Sequence, residues 1–295
     1  MVGTIGIDDI ATPSGQVREV LGGSATYAAI ASRLFAPTSL VSVVGEDFPP
    51  AHHETLLSRD INLDGLRVES GKTFRWGGRY HDDLNSRETV FVELNVVDNF
   101  EPRLPESAAA HRFIFLGNTA PTVQMGVLDQ VCDECFVVTD SMDFWIEGQR
   151  RGVTDVFRRS SLVVLNDQEV RMFSGELSLT SAVAHIMHLG PRAVAVKRGE
   201  YGAALAASGA WFFAPGFPLS EVVDPTGAGD AFAGAMLGSI AEAGQPTDAA
   251  LRRAIVYGSV VASYTVESFG IARLATLKRS EVDARYCMFR RLVEF

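Results

Sequence analysis

Asp224-Pro225-Thr226-Gly227-Ala228-Gly229-Asp230 runs directly into a stretch of small residues, Ala231 to Gly238, that reads as a helix. Two glycines let the backbone approach an anion closely, and the helix that follows turns its free N–H groups and positive dipole end toward it. Negative charge developing on a transferring phosphoryl group would be stabilised at such a place. Asp230, at the start of the helix, could accept the proton of an attacking hydroxyl. Glycine and aspartate are also common turn residues, so a tight turn with Asp230 as a helix cap accounts for the same spacing.

Alternating strand-like and helix-like segments supply the frame for this motif. Val2 to Ile7 reads as a first strand ending in Asp8-Asp9, and Gly22-Gly23-Ser24 opens a helix over Ala25 to Phe35 with Ser24 placed to cap it. Leu40 to Val44 reads as a strand followed by a helix near Ala51 to Arg59. Further buried strands are expected at Phe113 to Leu116, Phe136 to Asp140, Leu162 to Leu165 and Ala193 to Lys197. Helical segments between them fit a doubly wound, mostly parallel α/β sheet. Residues 72–81 and 89–96 read instead as a hairpin around Asp82-Asp83-Leu84-Asn85-Ser86. With residues 11–20 they form either a small β-sheet lid or a surface hairpin of no consequence. No repeat, low-complexity tract or flexible linker interrupts the chain, so a single domain over 1–295 with a lid from about 11–20 and 72–96 is expected.

Composition narrows the class. The 295 residues are 47% hydrophobic and 21% charged, ordinary for a globular domain. Asp and Glu number 36 against 26 Lys and Arg, a net charge of -10, which argues against a nucleic-acid partner. Mean hydropathy is +0.12, yet no apolar run approaches the ~18 residues of a membrane span and no secretory leader is visible. Three cysteines are too few for a disulfide scaffold and point to a reducing, cytoplasmic setting.

The motif from Asp224 to Ala235 resembles the C-terminal signature of the ribokinase-like (PfkB) carbohydrate kinases, roughly D-T-x-G-A-G-D. Four other stretches match that family in order: Gly3 to Asp8, Gly22-Gly23, Asn166-Asp167-Gln168-Glu169 as N-x-x-E, and the turn Lys197-Arg198-Gly199-Glu200-Tyr201-Gly202. The resemblance implies a ribokinase-like fold with a β-lid over the substrate. It also implies transfer of the ATP γ-phosphoryl group to a hydroxyl of a sugar or sugar derivative. By position it makes Asp230 the base and the N–H groups of Gly227, Ala228 and Gly229 the anion hole. Asp8, with Gly22 and Gly23 beside it, anchors substrate hydroxyls. Asn166 and Glu169 act on Mg²⁺ through water, which suits an ion reluctant to dehydrate. Lys197, Gly199 and Gly202 lie beside the nucleotide, with Thr226 near the phosphates. Small residues around Ser259, in a helical stretch from Ala249 to Phe269, line the adenine pocket or simply pack closely on the sheet. Asp224 and the Thr226 carbonyl match positions that hold a monovalent cation such as K⁺ in some members.

Two departures bear on substrate. Tyr27 stands where many members have Asn, and Gly6 where several have Asn, so two polar contacts to a ribose are missing. Tyr27 would stack on or hydrogen-bond a different substrate, or pack under the lid. A nucleoside kinase of the same fold, with Tyr27 or Phe74 against the base, is therefore the alternative enzyme. A metabolite-binding protein without catalysis is the alternative from another class. Exposed lid edges would allow a homodimer. Gly65 with Gly71-Lys72-Thr73 lacks P-loop spacing, and Gly227-x-Gly229 does not continue as a dinucleotide fingerprint. Cys132/Cys135 and His185/His188 are isolated pairs, and His52-His53 reads as surface. Arg75, Trp76 and Arg79 reach substrate only if the lid reading holds. Asp140, at a strand's C-terminal end, either meets a ligand or caps the next helix.

Overall fold

A computed structural model describes every residue except Asn85 and Phe295, so one position of the expected 82–86 turn lies outside the described residues. Strand β1 is Gly6–Thr12, β2 Gly15–Gly22, β3 Thr38–Gly45, β4 Ile61–Glu69, β5 Phe74–Tyr80 and β6 Arg87–Glu93. The remaining strands are β7 Phe113–Leu116, β8 Phe136–Asp140, β9 Leu162–Asn166, β10 Ala193–Lys197, β11 Ala203–Ala207 and β12 Ala210–Ala214.

The large sheet runs β12-β11-β10-β9-β8-β7, with β7 to β10 parallel and β10, β11 and β12 antiparallel. The parallel pair β3-β4 joins it through the extreme N-terminus: Val2 bridges both Val41 and Leu116. The expected first strand, Val2 to Ile7, is thus divided. Val2 serves the large sheet, and the chain crosses at residues 3–5 to begin β1 in a second sheet. That second sheet has the order β2-β1-β5-β6, with β1 and β5 parallel and both hairpins antiparallel. It combines the two segments expected to pair outside the main sheet.

The apolar runs of β9 and β10 follow from cover on both faces. Leu162, Val164, Ala193 and Ala195 pack with the helices Ser24–Arg33, Ala228–Ala243 and Asp248–Thr265. Their neighbours Val163, Leu165, Val194 and Val196 pack with Arg150–Arg158, Asp167–Ser174 and Leu179–Met187 on the other side. Alternation of side chains along a strand divides one continuous run between two cores.

Local corrections have local causes. Gly23, not Ser24, is the N-cap of Ser24–Arg33, and no side chain caps it. The Ser24 hydroxyl instead bonds Thr4 and donates to the Asn118 carbonyl at 3.2 Å, tying the first crossover to the end of β7. The helix expected over 249–269 stops at Thr265, leaving the loop that carries Gly270 free to reach Asp224. β4, β11, β12 and the helix Arg279–Leu292 are elements that the sequence reading does not assign.

Candidate active site

A cleft of about 610 Å³ opens between the small sheet and the large one. Asp8, Gly23, Tyr27, Thr226, Gly227 and Asp230 all line it, although they come from both ends of the chain.

Asp230 sits in the first turn of Ala228–Ala243. Burial pushes its carboxyl up to about 7, with repulsion from Asp140 adding to the effect and Lys197 and Arg87 opposing it. The turn before it is held by Asp224, which is 1% exposed and accepts the Thr226 N–H at 2.9 Å and the Gly270 N–H at 2.8 Å. Gly227, the helix N-cap, has φ 72°, a left-handed conformation that side chains resist. No side chain caps this helix. The Ala228 N–H turns back to the Pro225 carbonyl at 3.2 Å, while that of Gly229 has no acceptor among the described residues.

Asp8, on β1, is 3% exposed. Burial, then the charges of Asp224 and Asp230, push its carboxyl up to about 8. Its Oδ1 has no hydrogen-bond partner. Gly22 is needed beside it, because a Cβ there would fall 1.8 Å from Asp8 Oδ2.

Tyr27 lies beneath Gly227, with Asp8 and Tyr80 of the small sheet acting on it, and its hydroxyl is buried without a partner. Burial, with Asp8 as the main charge facing it, pushes the phenol well above its ordinary range. A different tyrosine links the small sheet to the glycine turn: Thr226 Oγ1 donates to Tyr80 Oη at 3.2 Å. Arg87 stands over the Trp76 ring at 5.4 Å and faces Tyr80 and Asp230. Arg87 escapes the sequence reading, although its alternation along a strand facing Trp76 was an available signal. The cleft wall after β8, with Met142, Phe144 and Trp145, also escapes it. Its signal was its place after a parallel strand's C-terminal end.

Asn166 and Glu169 form a reciprocal capping box on Asp167–Ser174. Glu169 N donates to Asn166 Oδ1 at 2.8 Å, and Asn166 N to Glu169 Oε2 at 2.7 Å. The second Glu169 oxygen and the Asn166 amide nitrogen stay outside the box. Burial and repulsion from Asp140, opposed by Lys197, leave the Glu169 carboxyl at about 7. Lys197 pairs with Asn166 across the β9-β10 ladder, and Gly199 and Gly202 shape the turn that follows. Ser259 does not line the cleft; its hydroxyl donates to the Ile255 carbonyl at 3.0 Å within its own helix.

His188 Nδ1 lies 2.6 Å from the Ala184 carbonyl, and His185 stands beside Phe173. Cys132 and Cys135 face each other with Sγ atoms 2.7 Å apart, and burial pushes the Cys135 thiol up to about 11. Among the described residues no group of three His, Cys, Asp or Glu side chains is placed to hold a metal, and no helix is long and apolar enough to cross a membrane.

The fold agrees with the comparisons. The pfkB family carbohydrate kinase pattern matches residues 123–276, and the chain belongs to that family. It is 29% identical over 259 residues to a cytidine kinase of Thermococcus kodakarensis, covering 85% of this chain and 91% of that one. A ribokinase of Bacillus subtilis is 26% identical over 266 residues, covering 89% and 86%. A crystal structure of a putative ribokinase II from E. coli in complex with ATP and Mg²⁺ superposes with a TM-score of 0.78 at 20% identity, covering 97% of each chain. The protein is a kinase of the ribokinase type, a phosphotransferase acting on a nucleoside or a sugar.

Proposed function

We propose that the protein is a nucleoside kinase that uses ATP and Mg²⁺. The observation that carries this reading is the aromatic wall. Phe144 is 58% exposed yet lines the cleft, with Trp145 edge-on behind it at 4.7 Å, and Phe74 and Trp76 enter the same cleft from β5. An exposed phenylalanine beside an indole in a cleft offers a broad stacking surface, which a planar nucleobase covers more fully than a free sugar. The cytidine kinase relative supports the same choice.

In this reading Asp8 receives the ribose hydroxyls, its unpartnered Oδ1 accepting one of them. Gly22 and Gly23 keep the backbone clear, and Tyr27 supports the reacting end from beneath Gly227. Asp230 takes the proton of the attacking hydroxyl. The hydroxyl oxygen bonds to the γ-phosphorus as the bond from that phosphorus to the β,γ-bridging oxygen breaks, and ADP leaves. A base near neutrality suits this step, since a good fraction of it is ionised at neutral pH and it is still basic enough to take a proton. The free N–H of Gly229 meets the phosphoryl oxygens, joined by those of Gly227 and of Ala228 once the latter releases the Pro225 carbonyl, with Thr226 beside them.

Asn166 and Glu169 fit a hydrated cation, because Glu169 keeps one oxygen outside the capping box and its buried charge would be offset by one. When bound, Mg²⁺ would neutralise phosphate charge. The turn Lys197–Gly202 and the Ser259 helix border the nucleotide, and Asp224 with the Thr226 carbonyl is the position for K⁺. The small sheet acts as the lid of a single domain, excluding water through the Tyr80–Thr226 contact. Its outer strands β2 and β6 are the edges for a homodimer. Three free cysteines fit a cytoplasmic setting.

The experiment is ADP release from Mg·ATP with a panel of nucleosides, ribose, fructose and sugar acids. Turnover with a nucleoside and none with free sugars is expected. Turnover confined to sugars would overturn the substrate assignment, and none with any acceptor would overturn catalysis on this panel.

A further inference from the structure

Lys197 Nζ lies 2.7 Å from Asp140 Oδ2, with the side chains 18% and 4% exposed. The two residues end β10 and β8, so the pair reaches across the end of β9, which lies between them. An ammonium has three donor positions, and Asp140 takes one; no other acceptor among the described residues engages it. On its other side the ammonium meets the glycine turn. A Cβ at Gly229 would stand 3.2 Å from Nζ. Lys197 thus presents free donors beside Gly229, whose N–H also lacks an acceptor among the described residues.

The surroundings are acidic. Asp230 and Glu169 both act electrostatically on Lys197, and Asp230 and Asp224 in turn act on Asp8. A lysine stem is flexible, and without a fixed partner its ammonium could fall onto Asp230 or Glu169. The pairing the structure records is with Asp140, whose side chain is 4% exposed.

We propose that Lys197 is a ligand of the ATP γ-phosphoryl group and that Asp140 is the positioning residue that presents it. Two donors and the Gly229 N–H then converge on one phosphoryl oxygen set, while Asp140 holds the third donor. Asp140 touches no reactant; it acts through Lys197. The inference rests on the kinase reading of this site but not on the identity of the acceptor.

The test is calorimetric binding of Mg·ATP and Mg·ADP, without acceptor, to the wild type, Lys197→Met, Asp140→Asn and the double variant. Each single variant is expected to lose roughly tenfold or more in ATP affinity, the size of a lost charge-assisted bond, with ADP affinity nearly unchanged. The double variant should bind ATP no more weakly than Lys197→Met alone, because Asp140 has no route except through Lys197. Equal losses for ATP and ADP, or losses that add in the double variant, would overturn the proposal. If Lys197→Met leaves a lone buried carboxylate and does not fold, the double variant buries no unpaired charge and its ATP-to-ADP ratio against the wild type decides the γ-phosphoryl role. Asp140→Asn then decides the positioning role. A wild type that binds neither nucleotide is a different result: it removes the kinase reading itself.

Discussion

The ring of Tyr27 forms the underside of Gly227: a Cβ built at Gly227 would stand 2.4 Å from three ring carbons. The glycine turn that carries the proposed anion hole therefore rests on an aromatic plate from the first helix of the chain. Gly227→Ala meets both this plate and an unfavourable φ of 72°. The turn must move, and kcat is expected to fall by ~10²–10³-fold, the scale of losing an oxyanion donor. Steady-state kinetics, with circular dichroism to show that the fold persists, checks this.

Tyr27 itself carries a buried hydroxyl with no partner. Tyr27→Phe removes that unpaired polar group while keeping the plate, so stability should rise by about 1 kcal/mol. Chemical denaturation measures this. A loss of stability, or a raised substrate KM, would instead assign the hydroxyl a ligand.

Asp230→Asn should lower kcat by ~10²–10⁴-fold with nucleotide affinity retained, the contribution of a positioned base. Binding and turnover are measured on the same preparation. Unchanged turnover would exclude Asp230 as the base.

The pH dependence has a worked sign. Asp230 titrates at about 7 when folded, and a base must be unprotonated, so kcat should rise with pH through an acid limb near 7. Stability runs the other way. Asp8 is raised from 3.8 to about 8, so the folded state holds a proton that the unfolded chain releases. Its contribution is fully present below the unfolded value and is lost as pH rises through the folded one. The melting temperature should therefore fall between about pH 4 and pH 8, and Asp8→Asn should flatten that fall. Melting curves of both proteins across that range provide the comparison.

Asn166→Ala removes the acceptor of the Glu169 N–H while leaving its own backbone N–H to Glu169 Oε2, and should cost about 1 kcal/mol of stability. The proposed role adds a second effect, a higher Mg²⁺ concentration for half-maximal rate. A stability loss with an unaltered Mg²⁺ titration would leave Asn166 a cap and nothing more.

Much of the fold was legible along the chain. β7, β8 and β10 begin and end at the residues expected for them, because strands buried on both faces open as continuous apolar runs. The turn from Asp224 to Asp230 was legible for a similar reason: a left-handed residue and a close backbone approach at its glycines leave a local trace in residue type. Other features left no such trace. Val2 completes the large sheet through single bridges to two strands far away in sequence, and no local periodicity encodes a one-residue strand. Lys197 and Asp140 are 57 positions apart, and only the β10-β9-β8 order brings their charges to 2.7 Å. Tyr27 read equally well as a substrate contact or as packing, and its neighbour proved to be a glycine 200 positions on. Residue types thus determined which backbone shapes and which chemistry the chain could carry. Tertiary structure decided which charges face each other in the cleft, because that depends on strand order and burial rather than on spacing.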